Sequence, residues 1–212
     1  MQNPFDPGYY ESDELRRLGF ASVGENVRIA KNCTIPRLDT IELGDNVRID
    51  AFTSIIAVSG YVKLGSHVHI CVGCRIGARG GFKMEDFTAL SHGAVILTAS
   101  DDFSGRHMIN CTIPEEYTDV KVAPVKICRQ GGVAAGSIVL PGVTIGEGSL
   151  VGAQSLVRKS LDPWGIYFGI PAKRLKNRSR ALLADEALLL AEEQERKAEG
   201  IGASAGADRW FG

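Results

Sequence analysis

The chain has 212 residues, of which 44% are hydrophobic and 23% charged, with a net charge of −1. That balance excludes the basic excess of a nucleic-acid binder, and no apolar run reaches the ~18 residues of a membrane span. The opening MQNPFDPGYYESDELRRLGF has no apolar h-region, so no signal peptide is expected; with the five scattered cysteines read as reduced thiols, the chain is expected in the cytoplasm.

Residues 1–22 read as an N-terminal cap. Ser12 would cap a short helix, Asp13–Leu18, ended by Gly19. From Val23 a six-residue beat sets in. VGENVR, IAKNCT and IPRLDT come first, then LGDNVR, IDAFTS and IIAVSG from Leu43. LGSHVH follows from Leu64, and MEDFTA from Met84. Slippages of one to three residues occur at Ile41-Glu42, Tyr61–Lys63 and Phe82-Lys83. Cys71 and Cys74 lie within the beat and read as packing, not as half of a zinc site.

The beat stops at SDDFSGRHMINCTIPEEYTDVKVAP, residues 100–124. A loop this long inside a regular array is usually functional. The beat then resumes in its cleanest form: Ile127, Val133, Val139, Ile145, Val151, Val157. Four residues after each comes a small or short side chain, such as Gly131, Ser137, Ser149 or Ser155. A period of six fits neither a helix nor a plain strand. It fits a chain that runs straight, turns a corner and repeats, which is the signature of a parallel β-helix. With three hexads per triangular coil, the fold class is all-β, a β-helix of about six coils over residues 23–162. An exit segment and an amphipathic helix at about 177–198 occupy 163–200. Leu182, Leu183, Leu188, Leu189 and Leu190 form its apolar side. The Gly-rich stretch 201–212 reads as a flexible tail, docked at most through Trp210 and Phe211.

The repeat, the interrupting loop and the exit GIPAKRL together resemble the hexapeptide-repeat acyltransferases, over roughly residues 10–180. The maltose and galactoside O-acetyltransferases and the sugar acetyltransferases of surface-polysaccharide synthesis are the nearest likenesses. The resemblance implies a left-handed coil, against the usual crossover hand. It also implies a homotrimer with acetyl-CoA in the cleft between neighbours. The pantetheine arm would pass the small residues Ala135 and Ala153. Arg158, Lys159 and Lys173 would flank the adenosine and phosphates, with Arg174 adjoining, as suits cations beside phosphate. Gly131-Gly132 stands where the family often has an aromatic before the Val133 step.

The resemblance breaks at the general base. The family's loop opens with Thr-x-x-His, and the histidine position here is Asp101, in TASDD. A carboxylate, ordinarily titrating near ~4, is a poor base for a sugar hydroxyl and a better anchor for an ammonium. His92 has the more suitable chemistry, so the ranking is His92, Asp101, Asp102. A family asparagine that binds the acceptor sugar aligns with Val72, which points away from a simple galactoside or maltose.

The leading reading is an acetyltransferase moving acetyl from acetyl-CoA to a hydroxyl or amine of a sugar or sugar nucleotide, with no metal. The alternatives are a non-catalytic β-helix scaffold and a γ-class carbonic anhydrase. The latter needs three histidines on zinc, whereas His67 and His69 only sit two apart on one coil.

Overall fold

A computed structural model describes residues 5–199. Each hexad yields a strand of two or three residues and a corner, and equivalent strands stack in register into three parallel faces. The first face runs from Ser22–Val23 to Thr144–Ile145 in six strands. The second runs from Arg28–Ala30 to Gly165–Phe168 in seven parallel strands, and the third from Ser54–Ile56 to Leu156–Val157 in five. Nothing in the pairing is antiparallel within the coil, so every core position lies directly over its equivalent. On the second face that inward column is Ile29, Ile49, Ile70, Leu90, Val133, Val151 and Tyr167. None of these is more than 5% exposed. Each such side chain contributes about 1.5–3 kcal/mol on burial.

The stack is one level taller than the hexads count. Gly165–Phe168 pairs in parallel with Leu150–Val151, beyond the point where the six-beat ends. Its inward residue is Tyr167, an aromatic where the beat uses aliphatics.

The small residue four places after each aliphatic has a polar task in the last coils. Ser137 Oγ donates to Gly152 O at 2.8 Å and accepts from Ser155 N at 3.1 Å. Ser149 Oγ donates to Asp162 O at 2.7 Å and accepts from Gly165 N at 3.2 Å. Both serines are fully buried, so these hydroxyls satisfy corner backbone that water cannot reach.

Both ends of the second face are closed by antiparallel strands, which removes bare sheet edges. Tyr9–Glu11 pairs with Arg28–Ala30, and Lys173–Asn177 pairs with Gly165–Phe168. The N-terminal helix is Ser12–Arg17, and Ser12 is not its cap. Glu11 and Glu14 form a capping box, while Ser12 Oγ accepts a bond from Val27 N at 2.8 Å. The interrupting segment is also structured. Ala99–Asp101 pairs antiparallel with Val120–Val122, and Glu115–Tyr117 forms a 3₁₀ turn.

Two compact units divide between Arg178 and Ser179. The second holds the helix Leu182–Ala198, of which no residue is buried. It starts later than 177 because residues 173–177 are spent on the closing strand. The 201–212 tail lies outside the described residues. Among those residues, no helix is long and apolar enough to cross a membrane.

Candidate active site

The corner between the second and third faces carries one column of sequence-selected positions. Leu90, Val133 and Val151 stack in register, so His92, Ala135 and Ala153, each two residues further on, stand at equivalent places on successive levels. Backbone bonds tie them: Gly136 N donates to His92 O and Gln154 N to Ala135 O, both at 2.9 Å. The corner turns on left-handed residues, and at Gly93 (φ +64°) this conformation favours glycine. His92 and Ala153 are exposed and Ala135 is half-buried. The corner therefore presents a column of short side chains, Ala153 and Ala135, running up to His92 as a small-residue track.

The basic residues do not behave alike. Arg158, Lys159 and Lys173 are exposed, and among the described residues no carboxylate holds them. Arg174 is committed to its own chain. Its Nη2 donates to Trp164 O at 3.3 Å and Asn177 Oδ1 at 3.0 Å, and the guanidinium lies 5.9 Å from the Tyr167 ring centre. It braces the closing strand, which explains why its neighbour Lys173 is the freer cation.

Asp101 lies at the other end of the third face, past the strand Val95–Leu97. It lines a cavity of about 830 Å³, open to solvent, between the coil corner and the long loop. Ser59, Arg79, Asn110, Glu115 and Asp119 share that lining, while His92 and Asp102 are absent from it. Asp102 is spent inside the loop. Its oxygens accept from Ser104 N and Ser104 Oγ, each at 2.8 Å, and pair with His107 Nδ1 at 3.1 Å. The Ser104 bonds, with help from His107, pull its pKa down to about 2. Within one chain the structure thus groups His92 with the small-residue track and gives Asp101 a site of its own.

One cluster escaped the sequence reading. Asp50, almost buried, accepts bonds from His69 Nε2 (2.7 Å), Arg48 Nε (2.7 Å) and Tyr9 OH (2.9 Å). Burial pushes its pKa up, but the His69, Arg48 and Tyr9 bonds outweigh that and hold it far below the carboxylate range. The bond to Asp50, aided by Cys71 beside the ring, lifts His69 to about 9. Donor atoms of Asp50, His69 and Cys71 lie within 4.8 Å of one another. With the carboxylate already taken by three donors and the imidazole protonated at neutral pH, this is an ion network that pins the N-terminal strand, and it fits a metal poorly. His67 turns elsewhere, stacking on Phe87 at 4.6 Å, so the two histidines do not converge as a zinc site requires.

No protein-family model matches the chain. It is 35% identical over 180 residues to a dTDP-4-amino-4,6-dideoxy-D-glucose acyltransferase of Escherichia coli, covering 85% of this chain and 94% of that protein. An N-acyltransferase from Bacillus cereus, solved with dTDP and 3-hydroxybutyryl-CoA, superimposes with a TM-score of 0.83 at 39% identity, over 88% of this chain and 98% of that one. A maltose O-acetyltransferase from Clostridium difficile shares the fold, with a TM-score of 0.53 at 24% identity over 79% of this chain and 74% of that one. The chain belongs to the hexapeptide-repeat sugar acyltransferases, and its donor is an acyl-CoA.

Proposed function

We propose that the chain N-acylates a nucleotide-linked amino sugar, with acetyl-CoA as donor, in the cytoplasm and in service of surface-polysaccharide synthesis. The observation that carries this is Asp101 in an acidic, solvent-open cavity shared with Glu115 and Asp119. Carboxylates attract an ammonium group and give a hydroxyl little activation. The relatives agree: the E. coli protein is named for a 4-amino sugar nucleotide, and the Bacillus cereus enzyme has been solved with dTDP-4-amino-4,6-dideoxyglucose and coenzyme A. Variants of that enzyme replace a serine and an aspartate ten positions apart. Ser91 and Asp101 are the one serine–aspartate pair at that spacing here.

Acyl-CoA supplies a carbonyl already activated as a thioester. The ammonium first loses one proton to solvent through the open cavity; Asp101 then orients the free amine and takes the second proton, which the nitrogen sheds as the C–N bond forms. A carboxylate suffices for this task, because an acylating amine becomes a strong acid once it carries positive charge. The proton then passes to the leaving thiolate. Asp101 accordingly stands ahead of His92 in this reading, and His92 borders the thioester end of the track.

The two corners would meet across a homotrimer. On the second face the outward row begins with Arg28, Arg48 and His69 and turns apolar at Ala89, Gly132, Leu150 and Ile166; on the third it begins with Ser54 and Arg75 and turns apolar at Val95, Ile138 and Leu156. The apolar parts of both rows flank the His92 corner and the levels beyond it. The first face instead carries Glu42–Lys63 and Glu85–Lys126 ion pairs and suits solvent. Apolar stretches on both faces around the track support a neighbour that brings its own Asp101 cavity up to it.

The test is thiol release from acetyl-CoA with dTDP-4-amino-4,6-dideoxyglucose, with the product checked by mass. Asp101→Asn should lower turnover ~10²–10⁴-fold with acetyl-CoA binding intact. Full activity in Asp101→Asn together with loss in His92→Ala would overturn the assignment.

A further inference from the structure

We infer that Arg79 is a specificity-determining residue that reads the diphosphate of the acceptor, an inference that rests on the amino-sugar reading above. The Asp101 cavity is bipolar. Three carboxylates line it, yet Arg79 on the same lining, exposed to solvent, pairs with none of them among the described residues. Opposite charges within reach of each other in a concave site would close into ion pairs. Their separation means that the cavity has an acidic end and a basic end.

Coil register gives the distance between the ends. Ile56, Gly77 and Leu97 stack on the third face. Two residues on, Val58, Arg79 and Ala99 therefore occupy successive levels, and levels are about 4.8 Å apart. Asp101 extends from the Ala99 level. Arg79 sits one level towards the N-terminal end, and Ser59 follows the level below that. The basic end thus lies one to two levels from the carboxylate. A 4-amino sugar nucleotide has the same layout: an ammonium on one side of the ring and, across the anomeric carbon, two phosphates. A planar guanidinium grips phosphate oxygens in pairs, which a lysine does not. A hydroxyl at Ser59 can add one further bond. A sugar lacking the diphosphate would satisfy only the acidic end.

The first measurement is calorimetric binding of dTDP alone, without donor or sugar. Arg79→Ala should weaken dTDP about 10–100-fold and Arg79→Lys by less, as expected for loss of charge-assisted bonds. The side chain is exposed, so both variants should keep the wild-type melting temperature. The second is kinetic: in Arg79→Ala, KM for the dTDP-linked amino sugar should rise about tenfold or more with kcat nearly kept. KM for the same amino sugar without its nucleotide should not move. Equal dTDP affinity in wild type and Arg79→Ala, no dTDP binding by the wild type, or a fall confined to kcat each overturns the inference. The two readings fail separately. Arg79-dependent dTDP binding without any acylation of the amine would sink only the proposed reaction. Amine acylation with dTDP binding indifferent to residue 79 would sink only the role of Arg79.

Discussion

At the scale of single residues, Asp50 gathers three side-chain donors, and its partner His69 makes the cluster pH-sensitive. His69 is raised from 6.5 to about 9 in the folded chain. A raised pKa means that the pair's stabilisation is fully present below pH ~6.5 and is lost as pH climbs through about 9. Asp50 is shifted the other way, so its contribution fades only in strong acid. Tyr9 OH ends on the same carboxylate, and the strand Tyr9–Glu11 should therefore loosen in mild alkali. We expect the melting temperature of the wild type to fall more between pH 7 and pH 10 than that of His69→Gln, with the two curves converging at the alkaline end. Parallel curves would show that the ion network carries no stability. Sequence could not reveal this site. Arg48, Asp50, His69 and Cys71 meet only because one coil separates 48–50 from 69–71, and the width of a coil varies with each slippage.

Elements show what the six-beat can and cannot say. Buried corner serines should be costly to lose. Ser149→Ala strands Asp162 O and Gly165 N with no solvent to replace the hydroxyl, at a cost of about 1–3 kcal/mol. Urea unfolding that shifts by under ~0.5 kcal/mol would show that the corner relaxes instead. The faces and the interrupting loop were legible in the sequence, because inward aliphatics at fixed spacing leave the chain no other way to bury them. The seventh level was not. Tyr167 breaks the aliphatic code while filling the same inward place. The loop hid its short antiparallel arm, since three residues on each strand leave no period to detect. Asp101 is found by its alignment and ranked behind His92 because a histidine is the better base for a hydroxyl; the amine acceptor proposed above reverses that order.

For the whole molecule, the outward rows of the second and third faces turn from charged to apolar at Ala89 and Val95, while the first face stays charged. Ile138 is 37% exposed in the single chain, at the centre of the third face's apolar row. Ile138→Glu should leave the β-helix folded by circular dichroism, because the side chain points out of the core. It should also shift sedimentation from trimer to monomer and abolish turnover. A trimer that survives the charge would move the interface to other faces. The stacked register has a further consequence for the donor. From the level of His92 through Ala135 and Ala153 to the strand Gly165–Phe168 is three steps of about 4.8 Å, roughly 14 Å in all. Each step is fixed by backbone bonds to its neighbours alone. The solenoid is therefore a ruler graduated in whole coils, and a donor arm laid along the proposed track would be measured against it. Its length can be reset in evolution only by gaining or losing an entire turn, never by a single residue.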